Sequence, residues 1–314
     1  MAKRLKVIYV GGLDWVPLAP DHLGIKQGAK WMNWDFKVVD PILNDPPADW
    51  LVKECVKFKP DFIIHGNTDS ITKVICPAIK VELPNTKQVF WMLDYRPDIL
   101  EYDGFWPTWE QNKSGLDHIF ISNYGQLKLW AEKMNCSSSF LPHGCWVIKP
   151  RYDKKYYHKV LFIGGNTDSY PYNKRVELLS ELLKLVEFDW LNETENDKRN
   201  EVWTIMPEVY HTSDIVLDIS HFWDNPGYAS GRYWYTAGLG GCSVTKRFPG
   251  YEEFYQDKKH KWYFDTPQEA SDIIKWLLKH PSVIKKTKKL AWEHNKKYHN
   301  YKVRFTQMLK DINL

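Results

Sequence analysis

The feature that most constrains the fold of this 314-residue chain is a short apolar strand followed by two glycines, which occurs twice. Residues 6–12 read KVIYVGG and residues 159–165 read KVLFIGG. Four apolar residues before a glycine pair are typical of a buried parallel strand whose turn approaches a ligand. Each copy therefore predicts the start of its own α/β domain, and the chain is long enough for two such domains.

Short apolar runs follow each copy and alternate with segments of helical period, which predicts two parallel sheets. The strands predicted for the first half lie at 7–10, 36–40, 61–66, 88–94, 118–123 and 138–144. Those predicted for the second half lie at 159–165, 188–192, 214–220, 241–246 and 262–265.

Two helix starts can be read from local patterns. In the segment 124–135 the apolar residues fall on one helical face, and Asn123 is the expected cap. Thr266, Pro267 and Glu269 occupy the cap, first and third positions of a capping box, which predicts a helix from residue 267.

The polar segment 149–159 interrupts the strand and helix pattern and predicts an interdomain linker. We therefore expect one α/β domain at 1–150 and a second at 151–284, facing each other across a cleft. Residues 285–314 read as a basic helix with nine lysines or arginines between 285 and 310 and one acid, Glu293. Such a helix is either a solvated face or a nucleic-acid footprint.

The composition is that of a globular protein, with 43% hydrophobic and 26% charged residues, and it excludes disordered and fibrous classes. The five cysteines form no CxxC pair, which favours a reduced, cytoplasmic setting. No apolar run approaches the roughly 20 residues needed to cross a bilayer. The net charge of +4 neither demands nor excludes an anionic partner.

Several common nucleotide motifs are missing from the sequence. Neither glycine turn completes GxGxxG, and there is no GxxxxGK[ST] motif, which argues against classical NAD enzymes and P-loop kinases. There is also no DxD pair to hold a metal with a sugar diphosphate. We expect neither an essential metal nor a cofactor.

The second glycine turn contains Gly165 and Asn166 and leads into a predicted helix that carries Lys174 and Arg175 in its first turn. Cations at a helix N-terminus are disfavoured by roughly 0.3 to 1 kcal/mol each. A bound diphosphate would offset this cost, since the helix N-terminus and both cations would converge on it. The alternative is that both side chains are simply solvated.

A second candidate anion site lies in NPGYASGRYWYTAGLGG, residues 225–241. Ser230 is a plausible N-cap, Gly231 allows close approach of the backbone to a phosphate, and Arg232 falls in the first helical turn. Gly227 belongs to the glycine-bearing lead-in. The alternative is an ordinary buried helix with no ligand.

Three polar side chains end strands of the first half, and Gly12 belongs to the first glycine pair. Asp94 and His65 could accept a proton, because a titratable group at an apolar strand end can have a tuned pKa. His143 stands just before the linker. Each of these side chains could instead cap a turn or form an ion pair.

The quoted motifs extend into a longer resemblance. Residues 229–255, ASGRYWYTAGLGGCSVTKRFPGYEEFY, and 263–286, YFDTPQEASDIIKWLLKHPSVIKK, resemble the C-terminal domain of two-domain glycosyltransferases of the GT-B type, the "glycosyl transferases group 1". The spore-maturation-type, CgeB-like branch is the most similar. Residues 118–135 and 140–144 resemble the end of that branch's first domain.

The resemblance implies two facing Rossmann-like domains, with 1–150 as the acceptor domain and 151–284 as the domain that binds a UDP-linked sugar donor. It also implies that the terminal helix crosses back to the first domain. Many relatives carry a glutamate for the donor ribose where this chain has Tyr235, so ribose recognition must differ. The expected donor-binding residues are Gly12, His143, Gly165, Asn166, Lys174, Arg175, Gly227, Ser230, Gly231, Arg232 and Tyr235.

The resulting hypothesis is a metal-independent glycosyltransferase in which Asp94, or else His65, is the base if transfer inverts the sugar. The acceptor would be a glycan or small-molecule hydroxyl, or a hydroxymethylated base in duplex DNA. A non-catalytic nucleotide-sugar or DNA-binding module and a sugar-nucleotide epimerase remain alternatives.

Overall fold

A computed structural model of the chain describes residues 4–13, 19–40, 48–66, 75–95, 110–149, 151–166, 173–191 and 196–314. The chain divides into two compact units. The first unit comprises residues 1–17, 25–142 and 302–314, and the second comprises residues 18–24 and 143–301. The chain passes from one unit to the other between Pro142 and His143, ahead of the polar segment 149–159.

The first unit contains a six-stranded parallel sheet in the order β2-β1-β3-β4-β5-β6. Its strands are β1 (Lys6–Val10), β2 (Asp35–Val39), β3 (Phe62–Gly66), β4 (Lys87–Met92), β5 (His118–Ile121) and β6 (Ser137–Phe140). The helices along this part of the chain are α1 (Pro20–Trp31), α2 (Ala48–Phe58), α3 (Cys76–Glu82) and α4 (Leu127–Met134).

The second unit contains a five-stranded parallel sheet in the order β11-β10-β9-β7-β8. Its strands are β7 (Val160–Ile163), β8 (Asp189–Leu191), β9 (Ile215–Asp218), β10 (Ser243–Lys246) and β11 (Trp262–Phe264). The helices that follow β7 are α5 (Asn173–Leu183), α6 (Asn196–Thr212), α7 (Gly231–Gly238), α8 (Pro267–Leu278) and α9 (Pro281–Tyr298).

The core of each unit explains why these runs form strands. Residues that alternate along β7 enter two different apolar clusters, with Phe162 beside α5 and α8 and Ile163 beside α6. Both faces of this central strand are therefore covered, as a parallel sheet requires. All eleven predicted strands are confirmed, each with ends within a few residues of the prediction.

The two predicted helix starts have different outcomes. The capping box is confirmed: the Thr266 side chain accepts a hydrogen bond from the Glu269 amide at 3.2 Å, and Pro267 opens α8. The cap at Asn123 was wrong, because α4 begins at Leu127. The Asn123 carboxamide instead accepts from the Gln126 amide at 2.9 Å and so closes the turn before the helix.

The basic C-terminal segment forms two helices rather than the single one expected. Helix α9 ends at Tyr298, and α10 (Tyr301–Asp311) follows. Between them the main chain pairs with Cys145, whose amide donates to the His299 carbonyl at 2.9 Å. This pairing replaces the helical hydrogen bonds that would otherwise continue α9.

Residues 302–314 belong to the first unit. Within that unit the Phe305 ring of α10 lies 4.7 Å from Trp34 and 6.2 Å from Trp91, so the helix is anchored by aromatic contacts. None of the helices described in either unit is long and apolar enough to cross a membrane.

Candidate functional site: an anion cradle at the ends of β7 and β9

The candidate site of the second unit lies where β7 and β9 end. These strands are neighbours in a parallel sheet, so their carboxyl ends share one edge. Gly164 and Gly165 follow β7, and Ser220 follows β9 closely. This edge is where open α/β sheets bind their ligands.

Arg232 connects the two strand ends. It lies in the first turn of α7, and its Nε donates to the Ile163 carbonyl at 2.6 Å while Nη1 donates to the Ile219 carbonyl at 3.2 Å. A Cβ at Gly164 would lie 2.5 Å from its Nη2 atom. The guanidinium thus occupies the space left by the missing side chain, which explains the need for glycine there.

Arg175 approaches the same point from α5. It is buried, and its Nη2 donates to the Gly165 carbonyl at 2.7 Å. The guanidinium carbons of Arg175 and Arg232 lie 5.5 and 4.9 Å from the centre of the Phe162 ring. Two cations predicted from distant parts of the sequence are therefore brought together around one aromatic ring.

The N-terminus of α7 lies beside these arginines. Ser230 is the N-cap residue, as predicted, but its hydroxyl does not bond the amides of the helix. It accepts instead from the Ser220 hydroxyl at 3.2 Å, and the Ser230 amide donates to the same Ser220 oxygen at 3.0 Å. An anion would find the positive end of the helix dipole here together with two guanidinium groups.

Gly231 and Tyr235 pack on each other in α7. The phenol of Tyr235 covers the position that a Cβ of Gly231 would take, so a larger residue at 231 would collide with it. Tyr235 also packs against the apolar cluster that contains Ile163. Gly227 adopts a positive φ of 72° and donates its amide to the Pro249 carbonyl at 2.8 Å, which fixes the loop ahead of α7.

Lys174 has a surface partner. Its ammonium lies 2.8 Å from the carboxylate of Asp224, and both side chains are 56% exposed. The hydrogen bond from Lys174 lowers the pKa of Asp224. A diphosphate would have to compete with this carboxylate for the lysine.

The sequence analysis missed Gly164, Ser220 and Asp224. The glycine pair itself was the signal for Gly164, and the predicted end of β9 was a signal for Ser220. Asp224 gave no local signal, because its partner is distant along the chain. Asn166 is exposed and directly precedes residues 167–172, which lie outside the described residues.

In the first unit, His65 lies in the interior. Its imidazole is fully buried, and Nε2 is 3.2 Å from the Gln88 carboxamide oxygen and 3.6 Å from the Cys76 sulfur. Burial lowers the pKa of His65 to about 4. The structure therefore places His65 in the interior of the first unit rather than at its surface.

Asp94 is exposed shortly after the end of β4, and Gly12 follows the end of β1 in the same unit. His143 is grouped with the second unit, where it is buried. In the described part of the chain, no group of three or more histidines, cysteines, aspartates or glutamates is arranged to hold a metal ion.

Residues 158–310 match the family model described as "Glycosyl transferase-like". The matched segment contains the cradle formed by Arg175, Ser230, Gly231 and Arg232. No curated protein sequence is significantly similar to the chain.

Three solved structures share the fold over nearly their whole length. A glycosyltransferase from Rickettsia africae is 10% identical, covers 99% of this chain and 98% of its own, and has a TM-score of 0.61. The Anabaena protein HepE in complex with UDP-glucose is 10% identical, with coverages of 99% and 100% and a TM-score of 0.60. The sucrose-phosphate synthase of Thermosynechococcus elongatus is 9% identical, with coverages of 99% and 98% and a TM-score of 0.56.

The two parallel-sheet units match the fold of these proteins, and most of the family match lies in the second unit. Residues 158–310 are thus similar to the glycosyl transferase-like family, and the two units of the chain have the GT-B fold of these glycosyltransferases.

Proposed function

We propose that this protein transfers a sugar from a UDP-linked donor to an acceptor hydroxyl and binds the donor diphosphate in the cradle of the second unit. The observation that carries the proposal is the convergence of Arg175, Arg232 and the N-terminus of α7 at the ends of β7 and β9. HepE, which has the same fold, binds UDP-glucose. The quoted C-terminal motifs further support a place in the spore-maturation-type branch.

The cradle suits the leaving group of such a reaction. As the bond between the sugar carbon and the β-phosphate oxygen breaks, negative charge grows on the diphosphate. Guanidinium groups and helix amides held beside this oxygen would stabilise the charge with little reorganisation. In this proposal Arg175 and Arg232 perform the role that a divalent metal performs elsewhere.

The acceptor oxygen forms the new bond to the sugar carbon and gives up a proton. If the sugar inverts, Asp94 of the first unit takes this proton. The acceptor in this proposal is a glycan or small-molecule hydroxyl, a class that fits the name of sucrose-phosphate synthase, which has the same fold. None of the similar structures described above gives support to a DNA acceptor.

The first experiment measures the melting temperature of the protein against a panel of nucleoside diphosphates, with and without EDTA. UDP should raise the melting temperature equally in both conditions, because ligand binding stabilises only the folded state. Arg175→Ala should abolish the rise. Arg151→Ala is the matched control, since Arg151 is an exposed arginine of the same unit outside the cradle.

If UDP still raises the melting temperature of Arg175→Ala, the diphosphate does not bind in the cradle. A rise that EDTA abolishes would contradict metal independence. A further outcome is that the protein binds UDP-glucose and, with no acceptor present, converts it to another nucleotide sugar. In that case the protein is an epimerase and the transfer proposal is wrong.

A further inference from the structure

A pair of oppositely charged side chains is buried beneath the cradle. Neither the family match nor the sequence motifs identify this pair. Asp218 is the last residue of β9, and Lys261 directly precedes β11. The Lys261 ammonium lies 2.8 Å from the Asp218 carboxylate, with side-chain exposures of 0% and 1%. Lys261 also donates to the Ser243 hydroxyl at 3.1 Å, and Thr245 lies 3.4 Å from the carboxylate.

This pair holds its geometry firmly. Two buried charges are costly to separate, because each would be left without compensation in a medium that solvates it poorly. The second carboxylate oxygen of Asp218 has no hydrogen-bond partner among the residues described. The contact of the other oxygen with Lys261 is therefore the principal interaction of this carboxylate. Burial lowers the pKa of Lys261, and the nearby Asp218 carboxylate opposes that change.

The pair touches both sides of the cradle. On the β9 side, the next residue after Asp218 is Ile219, whose carbonyl holds Arg232, and Ser220 follows with its bonds to Ser230. On the α7 side, the Lys261 ammonium lies 4.2 Å from the ring centre of Tyr233, the neighbour of Arg232. The Tyr233 hydroxyl is in turn 2.7 Å from that of Tyr263 in β11.

The geometry points to Asp218 and Lys261 as positioning residues that set the distance between the end of β9 and the first turn of α7, and hence the shape of the diphosphate cradle. This inference rests on the proposed function, because it assigns the pair a role in donor affinity. Replacing a buried ion pair with a neutral pair of similar volume often leaves stability unchanged or raises it. The ion pair therefore contributes a fixed geometry more than it contributes stability.

The test is isothermal titration of UDP into the full chain carrying Asp218→Asn together with Lys261→Met. Replacing both partners leaves no uncompensated charge, so the variant should fold. We expect the Kd for UDP to rise about tenfold, which corresponds to about 1.4 kcal/mol. The melting temperature without UDP should change little.

Lys288→Met is the matched control. Lys288 is a partly buried lysine of the second unit, and it donates to the carbonyls of His211 and Ser213 at the end of α6. Its loss should lower the melting temperature and leave the Kd for UDP unchanged. A Kd that rises in Lys288→Met as much as in the double variant would show that affinity only follows stability, which overturns the positioning role.

The remaining outcomes separate the two proposals. If the wild-type protein does not bind UDP, the proposed function fails and the inference fails with it. If the wild type binds and the folded double variant binds equally well, only the positioning role is wrong. Should the double variant not fold, Ser243→Ala keeps both charges and removes one acceptor of Lys261. It should still raise the Kd at least about twofold, or about 0.4 kcal/mol, and an unchanged Kd refutes the inference.

Discussion

Adding one methyl group at Gly164 tests whether the position of Arg232 sets the affinity of the donor site. An alanine Cβ at this position would lie 2.5 Å from the Arg232 Nη2 atom and 2.9 Å from the edge of the Phe162 ring. Such approaches are closer than van der Waals contact allows. The guanidinium is the more mobile neighbour and must move.

The magnitude follows from what Arg232 would lose. Its displacement strains the bonds to the Ile163 and Ile219 carbonyls and misaligns the cation with the diphosphate. One charged hydrogen bond contributes about 1.5–3 kcal/mol, which corresponds to a rise of about 10- to 100-fold in the Kd for UDP. The fold should tolerate the change, because the φ of Gly164 lies outside the left-handed region and alanine restricts the unfolded chain.

Titration calorimetry of UDP against four proteins provides the assay: wild type, Gly164→Ala, Arg232→Ala and the double variant. If the methyl group acts through Arg232, Gly164→Ala should have almost no further effect once Arg232 is alanine. Equal losses in both backgrounds would refute this reasoning, as would wild-type affinity in Gly164→Ala alone.

Three further predictions concern stability. Lowering the pH from about 6.5 to 5 should reduce the free energy of unfolding of the wild type by about 1.5 kcal/mol more than that of His65→Gln. The reason is that the pKa of His65 is lowered in the folded state, so over this pH range the proton binds to the unfolded state. Equal losses for the two proteins, measured by urea unfolding at both pH values, would contradict this prediction. Asn295→Ala should cost about 2–4 kcal/mol in the same assay, since the buried Tyr255 hydroxyl and Trp234 carbonyl each lose a partner at 2.8 Å, and a cost below about 1 kcal/mol would argue against this network. Thr266→Ala should cost about 1 kcal/mol through loss of the α8 cap, whereas Thr266→Ser, which keeps the hydroxyl, should be nearly neutral.

The parts of the fold that depend on local sequence could be predicted. The strands could be predicted because a central parallel strand is covered on both faces and must be apolar throughout. The start of α8 could be predicted because Thr266, Pro267 and Glu269 are close together in the sequence and form a local capping motif. The positions of Arg175 and Arg232 in first helical turns followed from the same local patterns.

The tertiary structure decided which distant groups meet. Arg232 reaches a carbonyl 69 residues away, and Asp218 meets a lysine 43 residues away, because the strand order places β7, β9 and β10 side by side. Tertiary packing also buries His65. The sequence pattern indicated only that His65 is a polar residue at the end of a strand. Apolar periodicity and capping are properties of neighbouring residues, and so the sequence alone predicted the strands and the start of α8. The pairing of charges depends on burial and on contacts between elements, and only the folded chain determines these.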